Sequence, residues 1–410
     1  MQLNMVKNTV LLFVLAMISC ASKMKHESSD TIPVNNKKTH EVTPIIVGAN
    51  QTATYLPLLQ TKRIGIVANQ TSVIFKTNHQ YTHLVDSLID LNINVKKVFA
   101  PEHGFRGQAD AGEAVKDGID TKTNLPIISL YGKNKKPSES QLADLDLVIF
   151  DIQDVGARFY TYISSLHYVM EACAEQDIPV LILDRPNPNG HYIDGPVLKT
   201  AHKSFVGMHP IPVVHGMTIG EYAKMINGEG WLANSIKCSL HVIPVKNYNR
   251  QLPYILPIKP SPNLPNDQAI NLYPSLCFFE GTNVNAGRGT ETQFQVFGSP
   301  YLNPEKYTFQ YTPQSNTGSK YPKHQGKVCF GKDVSQTQKL NALNLTWLIE
   351  AYKDTSDTSE FFNTFFTKLA GTTELQKQIE LGLSEQSIKD SWKEALNLFK
   401  TMRSPYLIYL

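Results

Sequence analysis

The sequence predicts an α/β fold organised around a doubly wound parallel sheet, and three observations carry that prediction. Five short apolar runs rich in Val and Ile recur through the first half: RIGIVAN (63–69), NVKKVFA (94–100), LPIISLYG (125–132), LDLVIFD (145–151) and IPVLILD (178–184). Each is nearly continuous in apolar character, as a strand covered on both faces must be. Stretches with helical spacing lie between them, and strand, helix, strand repetition implies right-handed crossovers. The chain has 410 residues, of which 41% are hydrophobic, enough for two or three domains with real cores.

Ahead of these elements the N-terminus reads differently. Lys7, the apolar run VLLFVLAMIS (10–19) and then Cys20 are too short to span a bilayer and fit the apolar region of an export signal. Cys20 follows Ser19, with Leu15 and Ala16 upstream, which resembles the acylation site of a bacterial lipoprotein. Residues 1–20 are therefore expected to be a lipoprotein signal peptide, and the exported, membrane-anchored protein is expected to face the periplasm. Residues 21–44, ASKMKHESSDTIPVNNKKTHEVTP, hold too few large aliphatics to offset ordering entropy and read as a flexible tether.

The strand-rich region is expected to run from 45 to 240. Within it, Tyr81, Leu84, Val85, Leu88 and Ile89 recur at helical spacing, and FYTYISSLHYVMEACAEQ (159–176) has a second amphipathic pattern. Thr218 and Glu221 form a T-x-x-E capping box ahead of a third helix. The character then changes: residues 252–276 are proline-dense, and helical patterns return in 340–354 and 388–400, so a second domain is expected over 241–410. Cys173, Cys238, Cys277 and Cys329 are widely spaced, without a CxxC pair, and read as buried small hydrophobes.

In open α/β sheets, ligands bind outside the carboxyl ends of the strands. Glu102 follows the 94–100 run, Asp151 and Asp154 follow 145–150, and Asp184 ends 178–184 just before RPNPNG. His103, Arg106, Arg158 and Arg185 accompany them at the same rim. Asp184 suits a turn-capping role equally well, whereas Glu102 is a poor turn former and its glycine neighbours supply the turn unaided. A second polar loop, FFEGTNVNAGRGTETQFQVFGSP (278–300), offers Asn283, Arg288 and Thr290 among glycines and suits an oxygen-rich ligand. It is neither a Walker A loop nor a dinucleotide fingerprint.

Other classes are excluded or weakened. The 39 basic and 36 acidic residues nearly cancel and the lysines are scattered, so nucleic acid is not an expected partner. No HExxH motif or metal-ligand spacing occurs, and no metal or cofactor is expected. His215 suits a ligand contact or a loop carbonyl equally. No GxSxG elbow supports an esterase.

Taken together, FAPEHGFRGQADAGE (99–113), FDIQDVGARFYTY (150–162), DRPNPNG (184–190), VVHGMTIGEYA (213–223), KPSPNLP (259–265) and FEGTNVNAGRGT (279–290) resemble the exo-β-N-acetylmuramidase family typified by NamZ. The likeness covers residues 45–410, with one departure at Asn285, where a small serine-like residue is expected. The resemblance implies a Rossmann-like catalytic domain, a smaller α+β substrate-binding domain, and an active site in the cleft between them. It implies release of terminal N-acetylmuramic acid from the non-reducing end of peptidoglycan fragments such as MurNAc-GlcNAc saccharides, in cell-wall turnover and recycling.

Glycoside hydrolysis needs a proton donor and a second group at the anomeric centre. Glu102 is the candidate acid, and Asp151 or Asp154 the candidate partner, with the sugar's own 2-acetamido group as the alternative. The lactyl carboxylate of muramic acid calls for a bidentate cation, for which Arg106, Arg158 and Arg288 are candidates. His103, Tyr160, Asn283 and Thr290 complete the expected substrate contacts, and Phe105, Tyr162 and Phe294 are further candidates for stacking on the sugar. The rival reading is a lipoprotein that binds muropeptides without cleaving them; a carboxyl group among the cations favours catalysis, because a pure binder of an anionic sugar has no use for it.

Overall fold

The computed structural model describes residues 43–78, 80–107 and 117–409. The expected signal segment, Cys20 and residues 21–42 of the expected tether lie outside them. All five apolar runs form strands: β1 (Ile64–Ala68), β4 (Val95–Ala100), β6 (Pro126–Ser129), β7 (Leu147–Asp151) and β8 (Val180–Leu183). Between them come a small antiparallel pair, β2 (Val73–Phe75) and β3 (Tyr81–His83), and the two-residue β5 (Gly118–Ile119); β9 (Leu240–Ile243) follows β8. Seven strands make one sheet in the order β5-β6-β4-β1-β7-β8-β9, parallel throughout except for β5. The chain moves outward from β1 through β4 to β6, returns to β7 on the other side of β1, and continues outward. That is the doubly wound Rossmann order, with its switch point between β1 and β7.

Both faces of the sheet are covered, which is why its strands are apolar without alternation. Val148 and Phe150 pack on one face with Ile163, Leu166 and Met170 of the helix Tyr162–Glu175. Leu147 and Ile149 pack on the other with Leu84, Val85 and Leu88 of the helix Leu84–Asp90. Burying a side chain such as Phe150 completely contributes about 1.5–3 kcal/mol. The expected capping box is present: Thr218 accepts from the Glu221 amide while the Glu221 carboxylate accepts from the Thr218 amide, opening the helix Ile219–Gly228. The four described cysteines are buried and unpaired.

The sheet runs on past residue 240, because β9 is its outer strand. The second part is α+β: β10 (Val296–Ser299), β11 (Phe309–Tyr311) and β12 (Cys329–Asp333) form an antiparallel sheet in the order β10-β12-β11, followed by helices from Thr346 to Arg403. The chain's end then returns to the first sheet. Tyr409 donates its hydroxyl proton to Asp184 at 2.7 Å and accepts from the Val245 amide at 2.7 Å. Asp184 also takes the Thr218 hydroxyl and the Gly220 amide. It is thus a structural hub, and burial pushes its carboxyl up to about 6.

Candidate active site

The loop after β4 opens the site. Pro101 ends the strand's hydrogen bonding, and then His103, Gly104 and Gly107 all take left-handed backbone (φ 69°, 76° and 72°). Glycine adopts this conformation without cost. For a buried histidine it is uncommon, and such strain gathers at functional sites. The tight turn holds Glu102 beside β7's loop, where its Oε2 accepts from the Thr161 hydroxyl at 2.8 Å. The Tyr131 phenol, just after β6, lies against the same carboxylate; burial, then the Glu102 charge, hold its proton more tightly than usual. The loops after three parallel strands, β4, β6 and β7, thereby converge on one carboxyl group.

Glu102 and His103 line a cavity of about 740 Å³, within the usual range for a small-molecule site. Its apolar wall comes from Phe159, Tyr160, Tyr273 and Phe294, and its rim from Lys320 and Tyr321. Phe294 is a second buried non-glycine residue in left-handed backbone (φ 52°). Opposite the strand-end loops, the second domain supplies Glu280 and Arg288. Glu280 accepts from Nε of Arg288, whose guanidinium lies over the Phe294 ring, 5.1 Å from its centroid. Burial opposes the Arg288 charge and Glu280 outweighs it, leaving the group above its ordinary range. Nη1 and Nη2 make no hydrogen bond to any described residue. The result is a guanidinium fixed at one edge, with its two terminal nitrogens uncommitted among the described residues.

Of the expected site residues, this cavity brings together Glu102, His103, Tyr160, Arg288 and the stacking candidate Phe294. The others are held elsewhere. Asp151 is wholly buried against Arg185, whose Nε and Nη2 donate to its two oxygens at 2.6 and 2.9 Å. Burial opposes the Arg185 charge and Asp151 outweighs it. Asp154 is buried behind the wall, accepts from the Gly156 amide at 2.7 Å, and burial pushes its carboxyl up to about 7. Neither is positioned as the partner carboxylate across a bound sugar. Two of the three candidate lactyl-binding arginines are likewise structural. Arg106 is clamped by Asp86 and Asp120 at 3.1 and 2.8 Å and covers Phe105. Arg158 is fully buried and donates to the carbonyls of Pro196, Ile211, Leu369 and Ala370 at 2.7–2.8 Å, tying the loop after β7 to the second domain.

Asn283 and Thr290 shape the loop rather than line the cavity: the Asn283 carbonyl accepts from Ser299 Oγ at 2.9 Å, and Thr290 donates to the Gly287 carbonyl at 2.7 Å. Asn285 braces the same loop, donating to the carbonyls of Arg288 and Lys323. His215 is buried 3.9 Å from Asp154, away from the cavity lining. Sequence reasoning missed Thr161, Tyr131 and the Lys320–Tyr321 rim, and assigned no role to Glu280 within its polar loop. Thr161 and Glu280 lie inside motifs already singled out, but nothing local tells which member of such a motif faces the ligand. Among the described residues, no group of three or more His, Cys, Asp or Glu side chains is arranged to hold a metal ion.

Two family models cover almost the whole of the described structure. That for the N-terminal part of exo-beta-N-acetylmuramidase NamZ matches residues 64–268, and that for its C-terminal part matches residues 271–409. The chain belongs to the NamZ family. The peptidoglycan beta-N-acetylmuramidase NamZ of Bacillus subtilis is 39% identical over 381 residues, spanning 87% of this chain and 89% of that protein. Two crystal structures of DUF1343 family proteins from Bacteroides fragilis share the architecture. One has TM-score 0.82 and 49% identity, covering 90% of this chain and 99% of the other; the second has TM-score 0.75 and 28% identity, covering 89% and 99%. Of the six motifs that mark this NamZ-family chain, four meet at one cavity: the glutamate loop after β4, residues 159–161 after β7, the proline-rich run 259–265, and the arginine loop before β10.

Proposed function

We propose that this chain is an exo-acting glycosidase that releases terminal N-acetylmuramic acid from the non-reducing end of peptidoglycan fragments. The observation that carries the reading is the pairing, in one cavity, of the Glu102 carboxyl with the Arg288 guanidinium. N-Acetylmuramic acid differs from N-acetylglucosamine by a lactyl carboxylate, and a guanidinium with both terminal nitrogens uncommitted recognises a carboxylate in bidentate fashion. Glu280 positions Arg288 for this by occupying Nε. Glu102, oriented by Thr161, supplies the proton that the leaving oxygen needs. Tyr160 and Phe294 belong to the apolar wall against which the pyranose would lie.

Residues 45–410, assayed on matched chromogenic β-glycosides, should release N-acetylmuramic acid and spare N-acetylglucosamine. Equal rates on the two would remove the role of Arg288. Binding of the muramide without release would favour a muropeptide-binding lipoprotein instead.

The same reading includes export and anchoring in the membrane through Cys20, facing the periplasm, supported by the apolar run 10–19 and the small residue before the cysteine. Stable anchoring needs more than one acyl chain. Cys20→Ala should shift the protein from the membrane fraction to the soluble one; unchanged fractionation would exclude acylation there.

A further inference from the structure

The cavity that holds Glu102 and Arg288 forms a first lobe, and a second lobe beside it shares Ser261 in its lining. The second lobe has a volume of about 580 Å³, and three segments of chain line both. The loop after β4 turns Glu102 and His103 into the first lobe and Gly107 into the second. Ser261 lines both, with Pro262 on the second side and Asn263 on the first. The run 316–321 gives Asn316 and Thr317 to the second lobe and Gly318 through Tyr321 to the first. An acid that protonates a glycosidic oxygen stands at the junction of two sugars. With the terminal sugar in the lobe containing Arg288, the adjoining second lobe offers space for its leaving partner.

We propose that the second lobe seats the leaving-group sugar, a 2-acetamido hexose, and that Gln293 is its specificity-determining residue. This rests on reading the first lobe as the muramic acid site. Gln293 lines the second lobe, is only 6% exposed, and its amide makes no hydrogen bond to any described residue. The Gln293 amide is not among the sealed polar atoms of the described residues; it opens to the cavity with hydrogen-bonding capacity that a ligand there can use. The amide offers two donors and an acceptor, matching the hydroxyl and acetamido groups of an amino sugar. The exposed Lys259 and Glu291 make the rim of the lobe polar, as the edge of a saccharide groove should be.

The test compares two substrates that share the muramic acid unit: the MurNAc-GlcNAc disaccharide and an aryl β-muramide, whose leaving group cannot reproduce the amino sugar's hydrogen bonds. In Gln293→Leu, kcat/KM should fall about tenfold on the disaccharide, at least fivefold more than on the aryl glycoside. Gln293→Glu keeps the shape while removing the amide donors, and should show the same asymmetry if the leucine variant fails to fold. Equal losses on both substrates, or none, would overturn the assignment. Ligand-observed NMR of free N-acetylglucosamine needs no turnover and separates this proposal from the parent reading. Binding to the wild type that is lost in Gln293→Leu supports the second lobe even if no muramide is cleaved. Absence of binding to the wild type, alongside normal release of N-acetylmuramic acid, refutes the second lobe alone.

Discussion

At the scale of single residues, the site divides its work between a carboxyl group set by one domain and a guanidinium set by the other. Glu102 is oriented by Thr161 at 2.8 Å and backed by the Tyr131 phenol, so Glu102→Gln preserves shape and most contacts while removing the transferable proton. The rate on a disaccharide should fall by at least about a hundredfold, the usual scale for losing a general acid. An activated aryl leaving group needs less protonation, and there the deficit should shrink. A glutamine variant as fast as wild type on the disaccharide would remove Glu102 from the acid role. Arg288 answers to a different readout. Arg288→Lys keeps the charge but replaces the rigid fork with a point charge, so KM for the muramide should rise at least about tenfold. A KM unchanged in the lysine variant would mean that the lactyl group is recognised elsewhere.

At the scale of elements, what was legible in the sequence depended on how local the determining physics is. β1, β7 and β8 are buried at every position, so each writes its burial as a nearly unbroken apolar run, while β4 and β6 are partly exposed and were legible from the apolar residues that remain. β9 was invisible for the converse reason: at the sheet's edge, His241 is exposed and Leu240 and Val242 only half-buried, which breaks the run. The acids at the strand ends were legible as a rim, but their assignment within it was not. Asp151 and Glu102 both follow apolar strands; what separates them is Arg185, 34 residues away from Asp151, which occupies its two oxygens. Arg158 was misread for the same reason, since two of its carbonyl partners, Leu369 and Ala370, are more than two hundred residues distant. That staple makes a prediction at its own scale. Arg158→Met leaves four buried carbonyls without this donor, and should lower stability by about 3 kcal/mol or more in denaturant unfolding. Arg158→Lys, which lacks the planar fork, should recover little of it. A loss below about 1 kcal/mol in both variants would show that the two domains do not depend on this link.

At the scale of the whole molecule, buried titratable groups set how stability follows pH. Burial is the leading cause that holds His83 and His167 down to about 4, His215 to about 3 and His209 well below its ordinary value. Unfolded, each would titrate near 6.5. As pH falls below that value the unfolded chain takes up protons that the native state refuses, and stability is lost. Asp154 and Asp184 act with the opposite sign: raised by burial to about 7 and about 6, they hold protons in the native state that the unfolded chain releases above its ordinary carboxyl range. They therefore add stability as pH falls from 7 towards 4. His191 and His324 are lowered by burial as well, so six histidines act against three raised carboxyls, Asp151, Asp154 and Asp184, and the net sign is a loss of stability between about pH 6 and 5. The urea midpoint should consequently drop between pH 6.5 and 5, with no catalytic group involved. Asp154→Asn mimics the protonated carboxyl and removes one of the three opposing contributions. It should raise stability at pH 8, where the wild-type group is forced to ionise, and leave it nearly unchanged at pH 5. A midpoint flat from pH 6.5 to 5, or an asparagine variant no more stable at pH 8 than at pH 5 relative to wild type, would mean that these groups are hydrated rather than sealed in the core.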